Sequence, residues 1–279
     1  MNEITRSGVF LDIDDEGYLI SDSSASKIVS PWSEAIDYAR QLEVRRLGDR
    51  LHSLYLRGSV ARGRGIEGRS DLDLFAVVFD SKPGDEPAPP PLWAQNTAFR
   101  RSFPFITSVE SSQITLSNVH GAFHYYRFII KTSAVCIHGD DLVPQIQRYN
   151  AAAPIAEEWF RIFPRLIDQL VDDLTEAHEE QAKKSLCQDI MKAFLRAGML
   201  LVMKRLNLYS RDLYPSYQCF SQTYPEKERA MWKCLELAVN PVSDSRELLP
   251  FVAEFAAWMR AAAEAEFGVL ELLPASLLR

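Results

Sequence analysis

The feature that most restricts the fold is a change of texture near Pro154. Downstream of it, apolar residues recur with a 3.6-residue period over four long segments, 155–180, 184–206, 225–239 and 246–268. Upstream, the apolar residues gather into short runs rich in β-branched and aromatic side chains, separated by Gly and Pro. Strands first and helices afterwards describe an α+β protein in two parts, read here as 1–150 and 151–279. With 279 residues, 47% apolar and 25% charged, the chain can bury two ordinary cores. No internal repeat is visible.

Within the first part, GVFLDIDDEGYLIS (8–21) reads as a hairpin around DDEG. After Pro31, the residues Trp32, Ala35, Ile36, Ala39 and Leu42 have helical spacing. A strand is expected over 52–57, then a loop rich in Gly and Arg, then a buried central strand in DLDLFAVVFD. SKPGDEPAPPP (81–91) holds too much proline for regular structure and reads as a surface loop. Residues 92–102 look helical, and FPFITSVESSQITLSN and YYRFIIKTSAVCIHG are expected to be strands.

The chemistry concentrates in RGSVARGRGIEGRSDLDLF, residues 57–75. Asp71 and Asp73, two apart on a strand, leave the same face, while Leu72 and Leu74 point the other way. Carboxylates held this close repel unless a cation lies between them, and all-oxygen ligands select a hard ion, Mg²⁺ or Mn²⁺. A bare Asp-x-Asp is more often the mark of a solvated strand end, so the context decides. That context is Gly58–Ser59 directly after a strand, where a glycine lets a phosphate come close to the backbone and a serine supplies a neutral donor. Arg57, Arg62, Arg64 and Arg69 add positive charge. Gly63, Gly65 and Gly68 spell GxGxxG, but this loop feeds a strand rather than a helix, and the acid that a dinucleotide site needs would fall in the proline stretch.

An apolar residue, Gly-Ser, a gap and Asp-x-Asp, here Leu56, Gly58, Ser59, Asp71 and Asp73, resemble the nucleotidyltransferase superfamily with the DNA polymerase β-like fold. Arg57 stands where many members carry an uncharged residue. The resemblance implies a mixed sheet with helices in the first part, and Mg²⁺ (or Mn²⁺) held by Asp71 and Asp73. It further implies an NTP, ATP by preference, bound by Gly58 and Ser59 with Arg62 and Ser70 beside them. A third acid on a neighbouring strand usually completes the site, and Glu110 is the candidate, as second-metal ligand or as base toward the acceptor hydroxyl. The alternative for Glu110 is an exposed strand glutamate.

Residues 191–241 resemble the C-terminal domain of streptomycin/spectinomycin-type aminoglycoside adenylyltransferases: a long apolar helix, a turn Ser210-Arg211-Asp212, and a further helix ending at Tyr224-Pro225. The family's turn carries a lysine that reaches the triphosphate, so the resemblance implies that role for Arg211, with the charge kept and the point-charge geometry changed. Lys192 and Arg196, one turn apart, face either solvent or a cleft. Asp140 and Asp141 read as turn residues with Asp141 as a cap. The acceptor is expected to be a small hydroxylated molecule; the helical part carries 19 acids against 15 Lys/Arg, which permits an acidic wall for a polycation. A protein or tRNA acceptor, or a catalytically silent nucleotide-binding module, are the rival readings.

The net charge of −7 argues against broad, nonspecific nucleic-acid binding. No apolar run approaches twenty residues and the N-terminus lacks a signal-peptide layout, so the expectation is a cytoplasmic protein with no membrane partner. Cys136, Cys187, Cys219 and Cys234 are scattered and read as reduced thiols. None of the five histidines pairs with an obvious nucleophile.

Overall fold

The computed structural model describes residues 3–81, 96–152 and 154–273. They divide into two compact units, one within Asp14–Tyr149 and the other combining Met1–Ile13 with Asn150–Leu278. The class is α+β: a four-stranded mixed sheet with helices, followed by a helical region.

The sheet unit opens with helix α1 (Trp32–Leu47), which ends at Gly48 with φ +51°. Strands β1 (Leu51–Arg57) and β2 (Leu72–Val78) are antiparallel, β3 (Val109–Thr115) runs parallel to β2, and β4 (Ala134–Gly139) is antiparallel to β1. The order across the sheet is β3-β2-β1-β4. Period-two alternation divides the central strands between two faces. On one face Leu54, Leu56, Leu72, Leu74 and Val109 pack with Trp32, Ala35, Ile36 and Ala39 of α1. Glu43 is fully buried on the same helix, where its Oε2 accepts from Arg46 Nε (3.0 Å) and Nη2 (2.5 Å). A buried carboxylate is tolerable only with such a charge-assisted partner.

The chain departs from its sequence-based expectation at three places. Residues 58–61 form a single helical turn, α2 (Gly58–Ala61), where a loop was expected. The segment from Tyr125 is not a continuous strand: helix α5 (Tyr125–Ser133) precedes β4. Its aromatic and β-branched residues have high strand propensity, yet as a helix it buries Tyr126, Phe128, Ile129, Ile130, Thr132 and Ser133, with Tyr126 stacked on Phe75 of β2 at 5.8 Å. Tertiary burial outweighs propensity here. Lastly, the expected hairpin 8–21 reduces to single bridge residues, Ile13 and Leu19, around a turn. The backbone before that turn is used differently: Val9 N donates to Asp212 Oδ2 (2.9 Å), Leu11 N to Tyr209 O (2.9 Å), and Ser210 Oγ to Val9 O (2.6 Å). The connection from β2 to β3 contains α3 (Asn96–Ser102); the proline-rich loop expected before it lies outside the described residues apart from Ser81. Between β3 and α5 lies a short helix, α4 (Leu116–His120).

The helical unit contains α6 (Ile155–Glu176), α7 (Glu180–Leu206), α8 (Leu213–Thr223), α9 (Glu228–Val239) and α10 (Ser245–Phe267). The second half of α7 is buried nearly all round, as a helix enclosed by others must be. Gly198 lets α8 and α9 come close, since a Cβ there would meet Met231 Cε at 2.5 Å and Phe220 at 3.0 Å. Phe194 of α7 is fully buried, with its ring 5.6 Å from Phe163 of α6 and 5.1 Å from Phe255 of α10. Phe194→Ala therefore leaves a cavity at the centre of the unit, expected to cost about 3–5 kcal/mol. Denaturant unfolding followed by circular dichroism reads that loss; a shift under about 1 kcal/mol would mean that α7 is not enclosed.

All four cysteines are free thiols, three of them buried. Among the described residues no helix is long and apolar enough to cross a membrane.

Candidate active site

Two strand pairings build the site. Asp73 lies opposite Arg57 of β1 in the antiparallel pair and opposite Glu110 of β3 in the parallel pair. Asp71 immediately precedes β2, and the buried Leu72 and Leu74 on either side of Asp73 face α1. Asp71, Asp73 and Glu110 therefore share the opposite face, and each offers a carboxylate oxygen within 4.8 Å of the others. Asp71 and Asp73 are half-buried and Glu110 is exposed. At an effective dielectric of about 20, two unit charges at that separation repel by about 3 kcal/mol. A divalent cation reverses that sign, and an all-carboxylate donor set fits Mg²⁺ or Mn²⁺.

Gly58 closes the site from β1. Its φ of +82° belongs to the left-handed region, and a Cβ built there would collide with Asp73 Oδ2 and lie 3.3 Å from Asp73 Cγ. The carboxylate of Asp73 is thus seated against the Gly58 backbone. Its other oxygen, Oδ1, lies 4.0 Å from Arg57 Nη2.

The expected cationic loop is tied down rather than open. Ser59 Oγ donates to Ser70 Oγ (3.1 Å), which also accepts from Ile66 N (2.9 Å), so the two serines join the loop at its base. Gly68 N donates to Phe105 O (2.6 Å), and Gly65 packs so closely on Trp32 that a Cβ would meet the indole at 2.6 Å. Arg62 Nε donates to Gly58 O (3.3 Å) and its Nη1 lies 3.8 Å from Asp22, while Arg64 pairs with the same carboxylate at 2.5 Å. Asp22 is the residue that sequence reasoning missed. It sits in a Ser-rich stretch with no periodicity, and nothing local marks it as the anchor for two arginines 40 and 42 residues away.

The other candidates belong to other elements. Arg211 belongs to the helical unit, in the turn between α7 and α8, flanked by Ser210 and Asp212 that hold Val9. On α7, burial raises the Asp189 carboxyl while Lys192 and Arg196 beside it act in the opposite direction. Asp141 Oδ1 accepts from Val143 N (3.0 Å) and so caps the turn after β4.

No family model matches the chain. No curated protein matches it significantly in sequence. Among solved structures, spectinomycin adenyltransferase AAD(9) from Enterococcus faecialis, crystallised with ATP and spectinomycin, is similar at a TM-score of 0.49 and 12% identity, over 83% of this chain and 99% of that one.

Proposed function

We propose that this protein is a Mg²⁺-dependent nucleotidyltransferase that moves a nucleoside monophosphate, AMP from ATP, onto a hydroxyl of a small molecule. One observation carries the reading: three carboxylates from adjacent strands converge within 4.8 Å, with a glycine of positive φ packed on the central one. Asp71, Asp73 and Glu110 would hold the metal, which when bound supplies charge stabilisation to the α-phosphate and to the leaving pyrophosphate. The residues themselves have separable tasks. Gly58 leaves the space that the Asp73 carboxylate occupies and that any side chain there would fill. Gly58 and Ser59 present backbone N–H donors to phosphate oxygens, while the Ser59 hydroxyl is spent on Ser70 and, with Arg62 on Gly58 O, holds that turn in shape. Glu110, the exposed member, acts as a ligand or accepts the proton of the attacking hydroxyl. Arg211 is proposed as a triphosphate contact, on its place in the turn after α7.

The test is pyrophosphate release from ATP with Mg²⁺ against a panel of hydroxylated acceptors, preceded by calorimetry of ATP with and without Mg²⁺. The expected result is Mg²⁺-dependent ATP binding, and pyrophosphate release with at least one acceptor. ATP binding with no pyrophosphate from any acceptor would instead support a silent nucleotide-binding module.

A further inference from the structure

Arg57 has a place in the site that its neighbours leave unexplained. It is the last residue of β1, opposite Asp73 in the register, so the two side chains rise from the same face of the sheet. Its Nη2 lies 4.0 Å from Asp73 Oδ1, and both side chains are 23% exposed. The guanidinium also carries a donor that is not used: Nε is buried and has no hydrogen-bond partner. A buried charged donor left unpaired is costly, and beside an acidic trio such a donor is placed to meet a ligand oxygen. The other oxygen of Asp73 fills the space that Gly58 leaves, where a Cβ would collide with it. Tyr126 of α5 lies within electrostatic reach of the same guanidinium.

We propose that Arg57 is the built-in counter-ion of the acidic trio, opposing divalent-cation binding while the nucleotide is absent and turning its unused donor to a nucleotide phosphate oxygen when one arrives. The proposal rests on the nucleotidyltransferase reading above. Its consequence is that metal alone binds weakly, in the millimolar range, and metal with nucleotide binds well. The ordinary alternative is a cross-strand ion pair with no role beyond a small contribution to stability.

The two accounts differ in sign. Removing a unit charge about 6 Å from a divalent ion tightens that ion by about tenfold even at the dielectric of water. A merely structural pair, when broken, loosens Asp73 and leaves metal affinity unchanged or lower. The experiment titrates Mn²⁺ without nucleotide, by the loss of its free-ion spin-resonance signal, into wild type, Arg57→Gln and Arg57→Lys. Calorimetry then measures ATP binding to the same three proteins in EDTA, and circular dichroism checks that each is folded. Arg57→Gln is expected to bind Mn²⁺ about tenfold tighter and metal-free ATP about tenfold weaker, while Arg57→Lys, which keeps the charge, stays within about twofold of wild type for Mn²⁺. Unchanged or weaker Mn²⁺ binding by Arg57→Gln overturns the counter-ion role. Tighter Mn²⁺ with unaltered metal-free ATP overturns the contact to phosphate. If wild type itself takes up no Mn²⁺ at millimolar concentration, the metal site fails, and with it the reading on which Arg57 depends.

Discussion

Asp71→Asn combined with Asp73→Asn is expected to leave a folded protein that no longer binds Mg²⁺ or transfers a nucleotide. Asparagine keeps the shape of each side chain and removes its charge, so the packing of Leu72 and Leu74 on α1 is untouched. What disappears is two of the three carboxylates that converge within 4.8 Å. If the metal supplies several kcal/mol of transition-state stabilisation, a loss of about 4 kcal/mol corresponds to roughly a thousandfold in rate. Stability is expected to change little, because neutralising like charges removes a repulsion while Arg57 loses its partner Asp73. The melting temperature without metal should therefore stay near that of wild type. Wild type, unlike the variant, should gain further stability as Mg²⁺ is added, since a ligand that binds only the folded state stabilises it by mass action. Pyrophosphate release and thermal melts with and without Mg²⁺ read both effects. A double variant that keeps its transfer rate would show that the metal is held by other groups.

Gly58→Ala is the second large effect, and it can be divided into its causes. At φ +82° an alanine is strained by roughly 1–3 kcal/mol, and its Cβ would collide with the Asp73 carboxylate. Asp73 must turn or β1 must shift, and either moves a proposed metal ligand by enough to cost about a hundredfold in kcat/KM. Gly68 provides the control. Its φ is +74°, yet a Cβ there has nothing within 4 Å. Gly68→Ala should lose comparable stability from backbone strain alone while retaining metal binding and transfer. Denaturant melts and Mn²⁺ titrations on the two variants separate strain from collision. Equal Mn²⁺ affinity in both would mean that the Gly58–Asp73 contact is incidental.

The local and periodic features of this protein were legible before any coordinates. Alternation in DLDLF puts Leu72 and Leu74 on one face and the two aspartates on the other, because a strand has a period of two. The α1 stripe from Trp32 to Ala39, and the apolar density of α7, follow from the same kind of counting with a period of 3.6. α5 shows the limit of propensity: Tyr125–Ser133 carries strand-forming residues yet is a helix that buries six of its side chains, one of them stacked on Phe75. Arg62 and Arg64 read as free positive charge from composition, whereas Asp22, far along the chain, takes up both.

What the sequence determined by itself is the class of chemistry available, through the Gly58–Ser59 and Asp71-x-Asp73 spacing, since that depends on neighbours along a single strand and its turn. What only the tertiary structure decided is which further groups meet there. Glu110 reaches Asp73 because β3 lies parallel to β2 in one register, and a slip of a single residue would send its carboxylate to the opposite face. Arg57 faces Asp73 because β1 pairs on the other side, also in one register. Strand pairing joins residues by hydrogen bonds between distant segments, and those distances in space are not written in any local pattern of side chains.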